Sequence, residues 1–594
     1  MDPRRFYGGI HTILKDFPDS SADEDLSDDE QLTNRRRKVL PPLCIPESEE
    51  SDSVSDDNIP LSHLASSSTR TSRAEKPRWR DGFLERAETD LQFTGDISLP
   101  LEITTLNTPY QFFKYLFTDD IFLYISQETN KYAVEKRPEK PSNITVKELE
   151  QFIGICLYMS IVQLPSTRFY WNEDMGYPKV STIMSCNRFE EIKRFIHFND
   201  NLTQIPKGQP GHNPLHKIQP LLELLRQRIL TVPKEQYMAV DEQIIPTKSR
   251  SSMRQYNPKK PHKWGYKNFV LSGSSGFSFD FEIYTGAQGP VQSDTNLPKI
   301  STSSDVVVRL SRTIPEGLNY KLFFDNWYTS LPLLTYLNKK GILPIGTIKA
   351  NRIPGYKVPV EKDLKKKGRG TTVEKLTTID NTDISVVTWY DNRVVNLAST
   401  YVGSKPSSEV RRFNKKEKTY QNVSCPKAVT VYNRHMGGVD LLDALLGYYR
   451  IQIRSKKFYH RIFFHMIDMM TVNAWLLYRR TLADSDPYLP LADFKCAVAE
   501  GLSQTNKPST SGKRGRPSYE LENAIEAKKL RGPIAIMPSR DVRLDQIDHM
   551  PVWTTRQRCK VPECNGRSHV ECQKCKVSLC LNDKRNCFKL FHTT

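Results

Sequence analysis

The apolar residues of this chain change period near residue 236 and change back near 437, and those changes call for a helical part, a sheet and a second helical part. Between about 105 and 235, the segments TDDIFLYISQETNKYAVEK, TVKELEQFIGICLYMSIVQL, CNRFEEIKRFIHFN and HKIQPLLELLRQRIL place apolar side chains at i, i+3 and i+4. That is one buried stripe of a 3.6-residue helix. Thr145 precedes Glu148 by three residues, the spacing of a capping box, so a helix should start there. From about 236, QYMAVDEQIIP, WGYKNFVLSG, FSFDFEIYTG and YKLFFDNWYT are β-branched and aromatic runs bounded by Gly, Pro, Ser and Asn. These read as strands. SLPLLTYLNKK reads as a helix, and residues 351–424 form a strand-bearing stretch with 15 basic against 8 acidic side chains. Helical spacing returns near 437 and runs through HRIFFHMIDMMTVNAWLLYRR.

With 594 residues, the chain has room for about three or four folded units. No run approaches the roughly 20 apolar residues of a membrane span. The N-terminal MDPRRFYGGIHTILKDF lacks an apolar signal region, so an intracellular protein without membrane attachment is expected. The first hundred residues, with SSADEDLSDDE and ESEESDSVSDD, have too few apolar groups to offset the entropy of ordering. Ser27 and Ser53 precede acidic residues and suit an acidophilic kinase, and Arg35-Arg36-Arg37-Lys38 has the form of a nuclear-import signal.

Charge is unevenly placed. The formal net charge is +18, yet residues 1–60 hold 15 acidic and 7 basic side chains, so the remainder carries +26. A basic body behind an acidic tail points to a polyanion, most simply nucleic acid. Arg450, Arg454, Lys456, Lys457, His460 and Arg461 form a basic segment suited to phosphate contacts, the alternative being a solvated helix face. Lys513-Arg514-Gly515-Arg516-Pro517 contains the core of an AT-hook, in which glycine lets extended arginines reach a narrow minor groove. An import signal or a plain basic linker has the same composition.

Six of the 11 cysteines fall between Cys559 and Cys587. The pattern is Cys559-x4-Cys564-x7-Cys572-x2-Cys575-x4-Cys580-x6-Cys587-x4-His592. Tetrahedral zinc takes four ligands, so seven candidates imply two Zn²⁺ ions and an eighth ligand. An alternating, cross-brace assignment gives Cys559, Cys564 and Cys580 to one ion and Cys572, Cys575, Cys587 and His592 to the other. Asp583 is the expected eighth ligand and His569 its competitor. The spacing also suits histone or protein binding.

Four aspartates end apolar runs or open a helix. Asp241 follows Tyr237-Met238-Ala239-Val240, Asp325 follows Leu322-Phe323-Phe324, and Asp440 and Asp443 lie three apart in Gly-Gly-Val-Asp-Leu-Leu-Asp. Buried carboxylates need a partner or a cation, and a few hard oxygens suit Mg²⁺. An Asp after an apolar run is commonly a turn residue as well. Glu242, next on the strand, is expected to point to the opposite face and is left out of the set.

The blocks VDEQIIP, FFDNWYTSLPLL and VYNRHMGGVDLLDALLGYYR resemble those of the piggyBac transposase family, as do KWGYK, GTIKANR and the cysteine-rich end. The resemblance runs in family order from about residue 107. It implies an α/β RNase H-like catalytic core with an inserted β-rich domain, a flanking all-helical DNA-binding and dimerisation domain, and a C-terminal cross-brace zinc module. The corresponding boundaries are 1–104 for the disordered acidic region and 105–235 for the first helical part. The catalytic domain takes 236–350 and 425–450, interrupted by an insertion at 351–424. The second helical part is 451–502, a basic linker 503–555 and the zinc domain 556–594. By motif, the resemblance implies Asp241, Asp325 and Asp440 as a catalytic triad holding two Mg²⁺ (or Mn²⁺) ions, with Asp443 as an additional acidic residue. It implies a nuclear homodimer acting on double-stranded DNA: nicking at transposon terminal inverted repeats, forming and reopening a hairpin, and joining at TTAA. The alternative is a host-adopted descendant that binds DNA or chromatin without transposing.

Overall fold

The computed structural model describes residues 77–593 apart from 250, 259, 261, 287–297, 299, 415–416, 484–485 and 505–536. The expected import signal, Ser27, Ser53, Arg514 and Arg516 therefore lie outside the described residues. The principal helices before the sheet are α1 (Pro109–Leu116), α2 (Asp119–Lys136), α3 (Val146–Ile161), α4 (Cys186–Phe195) and α5 (Gln219–Leu230). Thr145 starts α3 as the sequence requires: its Oγ1 accepts from the Glu148 amide, and Glu148 Oε2 accepts from the Thr145 amide at 3.0 Å. Two orphan donors are thus satisfied reciprocally.

The main sheet contains β1 (Arg80–Asp81), β2 (Tyr237–Pro246), β3 (Arg254–Tyr256), β4 (Trp264–Gly273), β5 (Ser278–Ile283), β6 (Tyr320–Phe324), β7 (Ile342–Thr347), β8 (Thr372–Ile379), β9 (Thr382–Tyr390) and β10 (Val394–Ser399). The order is β1-β8-β9-β10-β7-β6-β2-β4-β3, with β5 also paired to β4. β2, β6 and β7 are parallel, with Val240 opposite Phe324 and Phe324 opposite Gly346. β4 returns antiparallel along β2. Alternation along β2 sends Met238 and Val240 into one core and Ala239 into a second one with Phe323, Leu343 and Val429. A sheet buried on both faces is what near-continuous apolar runs produce.

α6 (Ser304–Ser311) and α7 (Leu331–Lys339) lie among the strands in sequence, and α8 (Lys427–His435), α9 (Gly438–Tyr448), α10 (Phe458–Thr481) and α11 (Leu491–Gln504) follow them. α11 packs on α3 and α10 on α1, so the helical segments before and after the sheet form one body. Gly154 permits that approach: a Cβ there would lie 2.4 Å from Ser503 Oγ and 2.9 Å from the Ala499 carbonyl. Within this body, Asp468 of α10 and Lys495 of α11 form a buried ion pair at 2.7 Å. Asp468 also accepts from the Ile451 amide, and Lys495 donates to the Tyr449 carbonyl. The chain just after α9 is thereby tied to both helices.

Three expected boundaries shift. Residues 77–104, assigned to the disordered region, pack on the body: Ile103 is fully buried, Trp79 Nε1 donates to the Pro354 carbonyl, and β1 pairs with β8. The strands of the expected insertion extend the main sheet, because β10 pairs antiparallel with β7. Only the ribbon of β11 (Ser408–Asn414) and β12 (Thr419–Cys425) forms a separate sheet there. Within the expected linker, residues 537–555 fold against the cysteine module, with Val542 buried. No described helix is long and apolar enough to cross a membrane.

Candidate active site and zinc centres

Parallel pairing of β2 and β6 sets two carboxylates side by side. With Val240 opposite Phe324, the next residues are Asp241 and Asp325, on strands about 4.8 Å apart. Asp325 Oδ1 accepts from the Trp327 amide at 2.8 Å, and its carbonyl accepts from Thr329 Oγ1 at 2.8 Å. The Asp-Asn-Trp-Tyr-Thr block is thus a turn that fixes its own aspartate. α9 brings Asp440 and Asp443. Its start lies close on the sheet because Gly438 has no side chain: a Cβ there would meet the Gly273 carbonyl at 2.3 Å. Asp443 Oδ1 accepts from Gln243 Nε2 at 2.6 Å, and Gln243 Oε1 in turn accepts from His465 Nε2 at 2.7 Å. Asp440, one turn earlier, leaves 73% of its side chain exposed.

These groups share one electrostatic environment. Burial, then the charge of Glu242, pushes Asp241 well above the ordinary aspartate range. The same two causes raise Asp325 to about 6, against hydrogen bonds from the Trp327 and Tyr328 amides. Burial raises Asp443 to about 6, against Lys260 and the Gln243 hydrogen bond. Glu242 therefore belongs to the acidic group, although sequence reasoning set it aside. Its carboxylate accepts from Tyr328 Oη at 3.3 Å, and in a poorly screened interior its charge acts across the strand.

The donor set fits a divalent ion in chemistry. The oxygens are hard, and crowding that raises carboxylate pKa values marks a local excess of negative charge. Among the described residues, however, the tight groups of metal-ligand atoms are one four-cysteine set and one cysteine–histidine set, and the aspartates are spread more widely. Exposed Asp440 is the member with room to adjust.

The cysteine module comprises β13 (Pro551–Arg558), β14 (Arg567–Cys572), β15 (Leu581–Asn582), β16 (Arg585–Asn586) and α12 (Cys587–Thr593). One set is Cys559, Cys564, Cys580 and Cys587, and the other is His549, Cys572, Cys575 and His592, with ligand atoms in each within 4.8 Å. In the first, Cys564 Sγ lies 3.9 Å from Cys580 Sγ and 3.5 Å from Cys587 Sγ. A tetrahedron with Zn–S bonds of about 2.3 Å has edges of about 3.8 Å, so the residues fit zinc and not disulfides. In the second, His592 Nδ1 pairs with the Phe588 carbonyl at 2.7 Å, while its Nε2 lies 3.6 Å from Cys575 Sγ. His549 Nε2 pairs with Asp545 at 3.0 Å, and its Nδ1 lies 3.3 Å from Cys572 Sγ. A carboxylate or carbonyl behind a histidine orients it as a metal ligand.

Two parts of the expected zinc assignment are corrected. Cys587 joins the first set because the β15–β16 hairpin, with Leu581 opposite Asn586, returns it beside Cys580. That leaves no place there for Asp583, which is exposed, or His569, which is exposed beside the Thr554 carbonyl. His549 fills the second set. Sequence reasoning missed it because it lies ten residues before Cys559, inside the expected linker.

Of the basic segment, Arg454 and Lys456 are exposed. Arg450 contacts His262 Nε2 at 3.0 Å. Lys457 instead donates to the Arg194 carbonyl and is lowered by burial to about 8. His460 is buried between Ser455 Oγ and the Ile196 carbonyl, and burial holds it down to about 3. Arg461 donates to the Pro246 and Ile451 carbonyls. These three side chains hold the fold together, correcting the expectation of Lys457 as a DNA contact.

Comparison with known proteins agrees with these features. A family model described as Transposase IS4 matches residues 108–475. Human PiggyBac transposable element-derived protein 3 is 30% identical over 484 residues, covering 80% of this chain and 75% of that protein. Human PiggyBac transposable element-derived protein 2 is 28% identical over 420 residues, covering 70% of this chain and 68% of that protein. The chain belongs to the IS4-type transposases and, among them, to the piggyBac family. A solved piggyBac transposase synaptic complex with hairpin DNA shares the fold, with TM-score 0.57 and 19% identity over 82% of this chain and 99% of that one.

Proposed function

We propose that this protein is a metal-dependent DNA transposase that cleaves terminal inverted repeats and joins the freed 3′ ends at TTAA. The carrying observation is the set of strand-end and helix-start carboxylates around Asp241, Asp325, Asp440 and Asp443 on a family-matched sheet. The strand series β5-β4-β2-β6-β7, with β2, β6 and β7 parallel, supports an RNase H-like core. Asp241, Asp325 and Asp440 would hold two Mg²⁺ ions, with Mn²⁺ as substitute. Such ions activate a water or 3′-hydroxyl and stabilise the leaving oxygen of an in-line displacement.

The protein's own contribution is placement. The Asp325 turn and the parallel register hold two carboxylates on a rigid sheet, while the Gly438 contact and the His465-Gln243-Asp443 chain orient α9 against it. Arg454 and Lys456 would meet DNA phosphates without reading sequence. The Cys₄ and Cys₂His₂ sets would each hold one structural Zn²⁺, leaving the module's surface for terminal-repeat DNA. A nuclear homodimer follows from this reading, since two transposon ends must be joined.

The human relatives are named as transposable element-derived proteins, which supports a second reading as a DNA-binding descendant without transposition. Excision from a donor plasmid carrying candidate terminal repeats separates the two, with wild type beside Asp325→Ala. Restored TTAA with wild type alone supports the transposase. Binding to the ends without excision supports the descendant.

A further inference from the structure

The loop between β3 and β4 carries one lysine over the acidic group. The Asn257 amide closes this loop on the Lys263 carbonyl at 2.7 Å, and His262 contacts Arg450 beyond α9. Lys260 is thereby held with only 22% of its side chain exposed, its Nζ 3.7 Å from Asp440 Oδ1. That pair alone is weak, because Asp440 is open to solvent. The setting is stronger. Burial pulls Lys260 down, but the charges of Asp241, Asp440, Asp443 and Glu242 more than offset it. Among the opposite charges acting on Asp241 and on Asp443, Lys260 is the largest. One ammonium group is therefore paired with Asp440 on the exposed first turn of α9 and lies within reach of the charges of Asp241 on β2 and of Asp443 one turn further on. A divalent cation bound by the same aspartates would occupy the space toward which that ammonium points.

We propose that Lys260 is the built-in counter-ion of the acidic group and competes with the divalent cation for the same carboxylates, so that it sets the metal affinity of the site. This rests on the metal-dependent reading above. A fixed positive charge near the site keeps the carboxylates together when no metal is bound and opposes metal entry by repulsion. When metal enters, the ammonium must yield Asp440 and turn toward the open side of the site.

The test is Mn²⁺ binding to the full-length, zinc-loaded protein, followed by electron paramagnetic resonance of free Mn²⁺, in wild type, Lys260→Met, Lys260→Gln and Lys260→Arg. Removing a unit charge a few ångströms from the metal should tighten Mn²⁺ by about tenfold in both neutral variants, while Lys260→Arg stays near wild type. Without metal, the neutral variants should melt below wild type, and saturating Mn²⁺ should close that gap. Unchanged or weaker Mn²⁺ binding in both neutral variants, alongside measurable wild-type binding that Asp325→Asn abolishes, would overturn the role of Lys260 and leave the metal site standing. Absence of any Asp325-dependent Mn²⁺ binding in wild type would overturn both.

Discussion

Gly438→Ala isolates the contact that sets the helix-borne carboxylates against the strand-borne ones. Gly438 is in the first turn of α9, where alanine should favour helix by about 1 kcal/mol over glycine. Local propensity therefore predicts a gain. Packing predicts the reverse, since the new Cβ would lie 2.3 Å from the Gly273 carbonyl and 2.6 Å from Ser272 Oγ. The closest ordinary carbon–oxygen approach is about 3.3 Å, so α9 must retreat from β4 by about 1 Å. Overpacking of this kind costs about 1–3 kcal/mol, which leaves a net stability loss of about 0–2 kcal/mol. The larger effect falls on chemistry. Asp440 is two residues along the displaced turn, and a shift of about 1 Å in a reacting constellation costs on the order of 100-fold in rate. In vitro nicking of an end-labelled terminal-repeat duplex, with calorimetric melting of the same preparation, reads both quantities. Strong loss of nicking with a nearly unchanged Tm is expected. Wild-type nicking by Gly438→Ala would refute the argument that this contact positions the site.

Four further outcomes follow from the same geometry. His549→Ala should reduce zinc from two ions per chain to one by elemental analysis, whereas Asp583→Ala and His569→Ala should leave it unchanged. Lys495→Met strands the buried Asp468 charge and should destabilise the protein by about 3–5 kcal/mol, read by denaturant unfolding. Arg454→Ala should lower the salt slope of DNA binding by about one counter-ion, while Lys457→Ala should not. Asp325 and Asp443 titrate near pH 6 in the folded protein against about 3.9 when unfolded, so the native state binds more protons between those values. Stability of protein without divalent cation should accordingly fall as pH rises from about 4 to 6. Asp325→Asn should then raise Tm at pH 7 and change it little at pH 4, and an equal change at both would count against the raised value.

Features that depend on neighbours in sequence were legible, and those that depend on remote partners were not. The α3 capping box, the strands near 236 and the apolar runs ending in Asp241 and Asp325 are all local patterns. Glu242 was set aside on strand alternation, a sound rule for contact but not for charge, which reaches past the backbone to Asp241 and Asp325. Linear spacing places Cys587 in the other set because it cannot show that a two-residue hairpin turns the chain back on Cys580. Lys457 and His460 looked like a basic surface, yet burial turns both inward onto carbonyls of α4 and its end. The attachment of β8–β10 to β7 is likewise a long-range pairing with no local signature.

The same distinction explains how the acidic site is built. Its strand-borne half is fixed by sequence neighbours: the Asp325 turn bonds to its own Trp327 and Thr329. Its helix-borne half has no such local support, and Gly437 provides no side-chain cap for α9. That half is instead held from outside the helix. Gly438 sets its distance from β4, Gln243 and His465 orient Asp443, and the Asp468–Lys495 pair anchors the chain beyond its end. Each of those partners lies on another element, in β2, β4, α10 or α11, so the two halves meet only when the helical body has closed around the sheet. Substitutions in α10 or α11 that loosen this body should therefore impair nicking through Asp440 and Asp443 while leaving Asp325 in its turn. Increased amide hydrogen exchange in α9, with 325–329 still protected, is the pattern this order of assembly requires.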